Sequence, residues 1–227
     1  MKTVDTTTPA RPAKGPFRLT ISAVVLVLVN LVPVYGVLAL GWDVFPVVLL
    51  FWLENVVVGV LNVLRLLVAR PQEGASWAAK IFLVPFFCVH YGVFTLVHGI
   101  FVIVLFSGAE LGDALGPDAL ATGVRETIST WEFGIPLLLL AGSHLFSFVW
   151  NFVLGGEYRR STLKEIMIRP YGRIVVLHLA ILFGGFLTMS LGSPVWALLL
   201  LIALKIGLDV KGHLRTHRRD AVSTSTE

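Results

Sequence analysis

Several ionisable or strongly polar side chains stand inside long apolar runs: Glu54 with Asn55, His90 and His98, His144 with Ser147 and Asn151, His178, then Lys205, Asp209 and His213. An ionisable group in a membrane span costs about 2.5–3.5 kcal/mol on insertion scales, so such groups face a protein interior and work there. Neutral imidazole together with carboxylate is the usual ligand set for zinc or iron. On that chemistry His90, His144, His178, Asp209 and His213 are candidate ligands of a transition metal of the Zn or Fe class, and Glu54 is the candidate catalytic acid/base. Asn55, Ser147, Asn151 and Lys205 would support them. The activity would be that of a membrane metallo-hydrolase or oxidoreductase. Two histidines facing each other could instead hold haem b, with phenylalanines packing the macrocycle. Other readings stay open: a proton- or ion-coupled carrier in which Glu54 and the histidines titrate in turn, or a non-catalytic assembly partner.

Spacing refines the set. Asp209 and His213 are four apart, about 40° round a helix and ~6 Å along it, and the pattern extends from Lys205 to His217 as K-x3-D-x3-H-x3-H. His90 and His98 are eight apart, ~12 Å along the axis and ~80° round it, too far to share an ion. His144, Ser147 and Asn151 line one helix face. Counting ~1.5 Å per residue from the span ends places Glu54, His144 and Lys205 near the midplane, and His90 a little towards the cytosol. It places His178, Asn151 and Asp209 in the inner third, and His98 on the outer side. Plainer roles compete: His98 and His178 as interhelical hydrogen-bond partners, Lys205 with Asp209 as an ion pair, His217 as a solvated group.

The elements that must hold these groups are membrane helices. Of 227 residues, 56% are hydrophobic and 14% charged, against roughly 25% charged in soluble domains. With a mean hydropathy of +0.84, a water-soluble domain is excluded. Six spans are predicted, at 19–40, 44–69, 81–106, 134–155, 174–191 and 194–210, and the fold class is an all-α six-helix bundle. If both termini are cytosolic, 17 of the 18 Lys and Arg residues fall on the inner side, with Arg125 alone outside. The excess of four positive charges is thereby explained by insertion into a cell membrane, and nucleic acid is not implied. Residues 1–17 form a polar cytosolic arm, 18–213 the membrane domain and 214–227 a basic tail. The single cysteine, Cys88, leaves no disulfide or CxxC motif.

Two loops carry helical pattern. In the outer 3–4 loop, Leu120, Val124 and Ile128 recur every four residues within 118–131, as in a helix lying on the membrane surface. In the inner 4–5 loop, Thr162 and Glu165 have capping-box spacing, with Leu163, Ile166 and Met167 on one side and basic residues around them to meet anionic lipid headgroups. A homo-oligomer is compatible with this plan.

The stretches F-W-L-E-N (51–55), H-Y-G-V-F-T-L-V-H-G (90–99), R-P-Y-G-R-I-V-V-L-H (169–178) and K-I-G-L-D-V-K-G-H-L-R-T-H (205–217) resemble those of a prokaryotic multi-pass membrane protein family of unknown function. That resemblance implies the six-helix fold and no activity. The closing H-x3-H, His213 and His217, is similar to the end of the seven-helix zinc hydrolases that cleave ceramide-type amides, although this chain has one helix fewer. Rhomboid proteases share the expected topology, but residues 142–147 read G-S-H-L-F-S and lack their G-x-S-x nucleophile motif.

Overall fold

A computed structural model of the protein describes residues 31–70 and 77–207, and every regular element among them is helical. The elements are α1 (Leu31–Leu40), α2 (Val44–Val68), α3 (Trp77–Phe106), α4 (Leu111–Ala114), α5 (Ala119–Ser129), α6 (Trp131–Ser147), α7 (Glu157–Arg160), α8 (Leu163–Ile168), α9 (Tyr171–Leu191) and α10 (Val195–Gly207). A seven-residue π-helical stretch, Phe148–Leu154, continues α6. Four runs are long and apolar enough to cross a bilayer: Val44–Val68, Trp77–Phe106, Trp131–Leu154 and Leu163–Leu191. The chain is therefore a multi-pass helical membrane protein. Asp209, His213, the 1–17 arm and the 214–227 tail lie outside the described residues.

Helix α2 is the axis of the bundle. It is the most buried of the four long runs and packs against α3, α6, α8 and α9. Its two ends belong to different clusters. Val44, Val48, Leu49 and Trp52 join Leu177, Ile181, Leu198 and Leu201 from α9 and α10. Leu61 and Leu66 join Phe87 and Tyr91 of α3, Phe148 and Phe152 of the π stretch, and Leu163 and Ile166 of α8. The polar residues Glu54 and Asn55 lie between these apolar ends.

Between α2 and α3 the contact is made by aromatic rings set on glycines. A Cβ on Gly59 would meet the Tyr91 ring at 2.5 Å, and one on Gly99 would meet the Trp52 ring at 2.7 Å. Small residues let helix backbones approach in lipid, where apolar area gives little drive for association. Two hydrogen bonds then fix the register: Trp52 Nε1 donates to the Thr95 carbonyl at 2.7 Å, and the Tyr91 hydroxyl donates to the Asn55 carbonyl at 3.0 Å.

The capping box expected at Thr162 and Glu165 forms. Glu165 N donates to Thr162 Oγ1 at 3.2 Å and Thr162 N donates to Glu165 Oε2 at 3.0 Å, the reciprocal pair of a capping box. Leu163 and Ile166 are buried. The outer-loop helix differs from its expectation in the face it uses. In α5 the buried residues are Gly123 and Thr127, and Leu120 and Val124 pack against the core, while Ile128 is exposed. Gly123 turns this face inward because it lets Phe45 and Ile103 come close, so α5 docks on the bundle.

Substituting Gly59 with Val should overpack the α2–α3 contact and lower stability by about 1–3 kcal/mol in a detergent unfolding titration. Gly142→Ala, whose new Cβ meets nothing within 4 Å, should leave the midpoint unchanged.

Candidate functional site

One carboxylate organises the polar interior. Glu54 of α2 receives Lys205 Nζ of α10 on Oε2 at 3.1 Å, and His144 Nε2 of α6 on Oε1 at 3.4 Å. Arg173 of α9 also donates, through its guanidinium, to Glu54 Oε1. Four helices thus converge on one acidic side chain. Depth counting brings Glu54, His144 and Lys205 to one level, and in the structure they meet. Arg173 escapes that count because the predicted span starts at 174, which leaves Arg173 in the loop. The helix begins at Tyr171, so Arg173 sits in its first turn and reaches into the bundle.

Burial is uneven across this cluster. The Glu54 side chain is 8% exposed, whereas Arg173 is 40% and Lys205 23% exposed. Lys205 Nζ also lies 4.5 Å from the centre of the Phe51 ring, within cation–π range. Glu54, Arg173 and Lys205 line a small cavity of about 40 Å³ together with Phe51, Asn55 and apolar residues of α9 and α10. Asn55 Nδ2 donates to the Phe51 carbonyl at 2.9 Å, but its buried Oδ1 accepts no hydrogen bond. The cavity therefore presents a guanidinium and an ammonium group, one carboxylate already engaged by them, and one unused acceptor.

The other candidates are placed elsewhere. His98 and His178 bond directly: His98 Nδ1 contacts the Phe94 carbonyl at 2.5 Å and His98 Nε2 contacts His178 Nδ1 at 2.8 Å. A carbonyl only accepts, so His98 Nδ1 carries a proton. In a neutral pair His98 Nε2 then accepts from His178 Nδ1. This is the plainer of the two roles weighed for these residues. His90 is exposed and stacks on Phe86 at 5.3 Å, with Phe94 and Tyr171 beside it. Asn151 donates to Ser147 Oγ at 3.1 Å on an exposed face of the π stretch.

The expected metal centre and histidine cluster are corrected by this geometry. Among the described residues no group of three or more His, Cys, Asp or Glu side chains is placed to hold an ion. His144 goes to Glu54, His178 to His98, and His90 to an aromatic stack. A metal between two imidazoles needs two bonds of ~2.0–2.1 Å, hence nitrogens about 3.3 Å apart in a tetrahedral site and about 4 Å across the metal, and the 2.8 Å between His98 and His178 leaves no room. The same separation removes the expected haem b site between facing histidines. Around Glu54 two of the neighbours, Arg173 and Lys205, are cations, which repel a metal ion. The zinc or iron hydrolase and oxidoreductase readings fall with the ligand set.

Sequence reasoning passed over Arg173, Tyr91, Trp52 and Thr95 as members of the polar interior. Arg173 had a signal: it opens the segment R-I-V-V-L-H five residues before His178, on the same helix.

The chain belongs to a family of unknown function (DUF6498), which it matches over residues 13–226. No curated protein and no solved structure matches it.

Removing the carboxylate alone leaves Arg173 and Lys205 facing each other in the bundle. Glu54→Gln should therefore destabilise the protein by about 3–5 kcal/mol, as for other buried ion pairs losing one partner. Lys205→Met should cost less, since Arg173 and His144 remain on Glu54. Unfolding midpoints in one detergent compare the two.

Proposed function

We propose that the protein is a membrane-embedded binding protein for an anionic oxygen-acid group, the carboxylate or phosphate of an amphiphile in the bilayer. One observation carries this reading: among the described residues two cationic side chains surround a single carboxylate at a cavity, an excess of one positive charge before His144 is counted. An uncompensated charge away from water costs several kcal/mol, and an incoming anion removes that cost. Guanidinium recognises carboxylate and phosphate in two-pronged fashion, and the lysine adds a point charge. Glu54 is then the counter-ion that holds both cations in place when the site is empty. Asn55 Oδ1 would accept from a hydroxyl or amide on the same headgroup.

Topology agrees with this reading. We take six spans with both termini cytosolic, the arrangement that sorts the basic residues best. Arg173 then stands at the cytosolic start of α9, and the basic residues around α8 meet the anionic lipids of that leaflet. Binding proceeds from that side.

The test uses full-length protein in nanodiscs, with retained lipid counted by native mass spectrometry. Phosphatidylglycerol and oleate are offered in separate arms against phosphatidylcholine, so that a phospholipid and a free acid are told apart. At least one anion should be retained in preference to phosphatidylcholine, and the Arg173→Gln, Lys205→Gln double variant should lose that preference by about tenfold or more. Equal retention of phosphatidylcholine and both anions by the unaltered protein would refute the reading. A bound anion should also raise the unfolding midpoint of Glu54→Gln more than that of the unaltered protein, because binding to the native state adds to stability.

A further inference from the structure

A second cavity lies on another face of α2 and owes nothing to the cationic site. It has a volume of about 370 Å³, within the roughly 300–1,000 Å³ range of small-molecule sites. Its walls come from α2 and α3, with Leu120 of α5 at one side. The two helices touch where rings sit on Gly59 and Gly99. Gly92, whose Cβ would meet nothing within 4 Å, leaves the space between them open.

Polarity identifies what such a cavity would take. No charged side chain lines it, so an ion has no partner there. Trp52 Nε1 and the Tyr91 hydroxyl have given their protons to backbone carbonyls. Thr95 is different. It lines the cavity, it is 7% exposed, and its Oγ1 makes no hydrogen bond. The Tyr91 hydroxyl lies close to it one turn earlier, but gives its proton to the Asn55 carbonyl and so donates none to Thr95 Oγ1.

A buried hydroxyl left unpaired is unfavourable, and a ligand that pairs it gains by doing so. The donor count then selects the ligand group. A carbonyl oxygen brings an acceptor and no proton, so one hydrogen bond from Thr95 satisfies both partners. An alcohol brings a second proton, which needs an acceptor of its own.

We propose that this cavity binds a neutral, lipid-soluble carbonyl compound, its hydrocarbon body between α2 and α3 and its oxygen accepting from Thr95 Oγ1. Geometry supplies the reporter as well. Cys88, the one cysteine of the chain, is exposed and lines the same cavity.

The experiment follows Cys88 labelling by a membrane-permeant maleimide on the full chain in nanodiscs, with 2-tridecanone or tridecane as competitor. In the unaltered protein the ketone should slow labelling saturably, at least fivefold, and at a lower concentration than tridecane. Thr95→Val keeps the shape and removes the donor, so it should raise the half-maximal ketone concentration about tenfold, the loss of one good hydrogen bond, and leave tridecane unchanged. Thr95→Ser, which keeps the hydroxyl, should retain the preference for ketone. The proposal is overturned by ketone and alkane protecting equally in the unaltered protein, by no protection at all, or by a ketone preference that survives Thr95→Val. None of these outcomes bears on anion binding at Arg173 and Lys205.

Discussion

A buried carboxylate held by two cations and an imidazole from three other helices is the constraint on which this bundle depends. In lipid, apolar side chains do not choose among neighbouring helices, because hydrocarbon tails are as apolar as leucine. Choice of neighbour then falls to small-residue contacts and to polar pairs that have no alternative partner. Glu54 ties α2 to α6, α9 and α10 at one point. The ring-on-glycine contacts at Gly59 and Gly99 tie α2 to α3. Together these two devices fix four neighbours around a single helix.

The same constraint links fold to function. A structural ion pair needs one cation per carboxylate, and here, among the described residues, there are two cations and an imidazole. Glu54, Arg173 and Lys205 all line the cavity, and the cations are more exposed than the acid they surround. That asymmetry suits reception of an anion. The carbonyl cavity uses the other side of α2 and follows the complementary rule, since it has no charge and one unsatisfied hydroxyl. One helix thus separates two chemically distinct environments.

Much of the architecture is legible in the residues alone. Long apolar runs give the spans, and Thr162 with Glu165 announces a helix start that forms both of its reciprocal bonds. The meeting of Glu54, His144 and Lys205 follows from counting depth along each helix. Pairing beyond that was hidden for a physical reason. A helix that is apolar on every side carries no periodic mark of which face meets which neighbour. Depth counting also assumes that all helices share one zero, and they do not. His98 lies eight residues before the end of α3, about 12 Å, and His178 thirteen before the end of α9, about 20 Å, yet their rings bond. The metal reading failed at this step: it gathered the histidines at one point, whereas His144 goes to Glu54, His90 to an aromatic stack, and His98 and His178 to each other.

Coupling between Glu54 and Arg173 measures the central claim most directly. A double-mutant cycle of Glu54→Gln and Arg173→Gln, read as unfolding free energy in nanodiscs, isolates the energy that the two groups share. The account predicts a favourable coupling of about 1.5 kcal/mol or more, the double variant being less destabilised than the sum of the singles. Additive effects within about 0.5 kcal/mol would contradict it, because the carboxylate would then not be what holds the cations at the site.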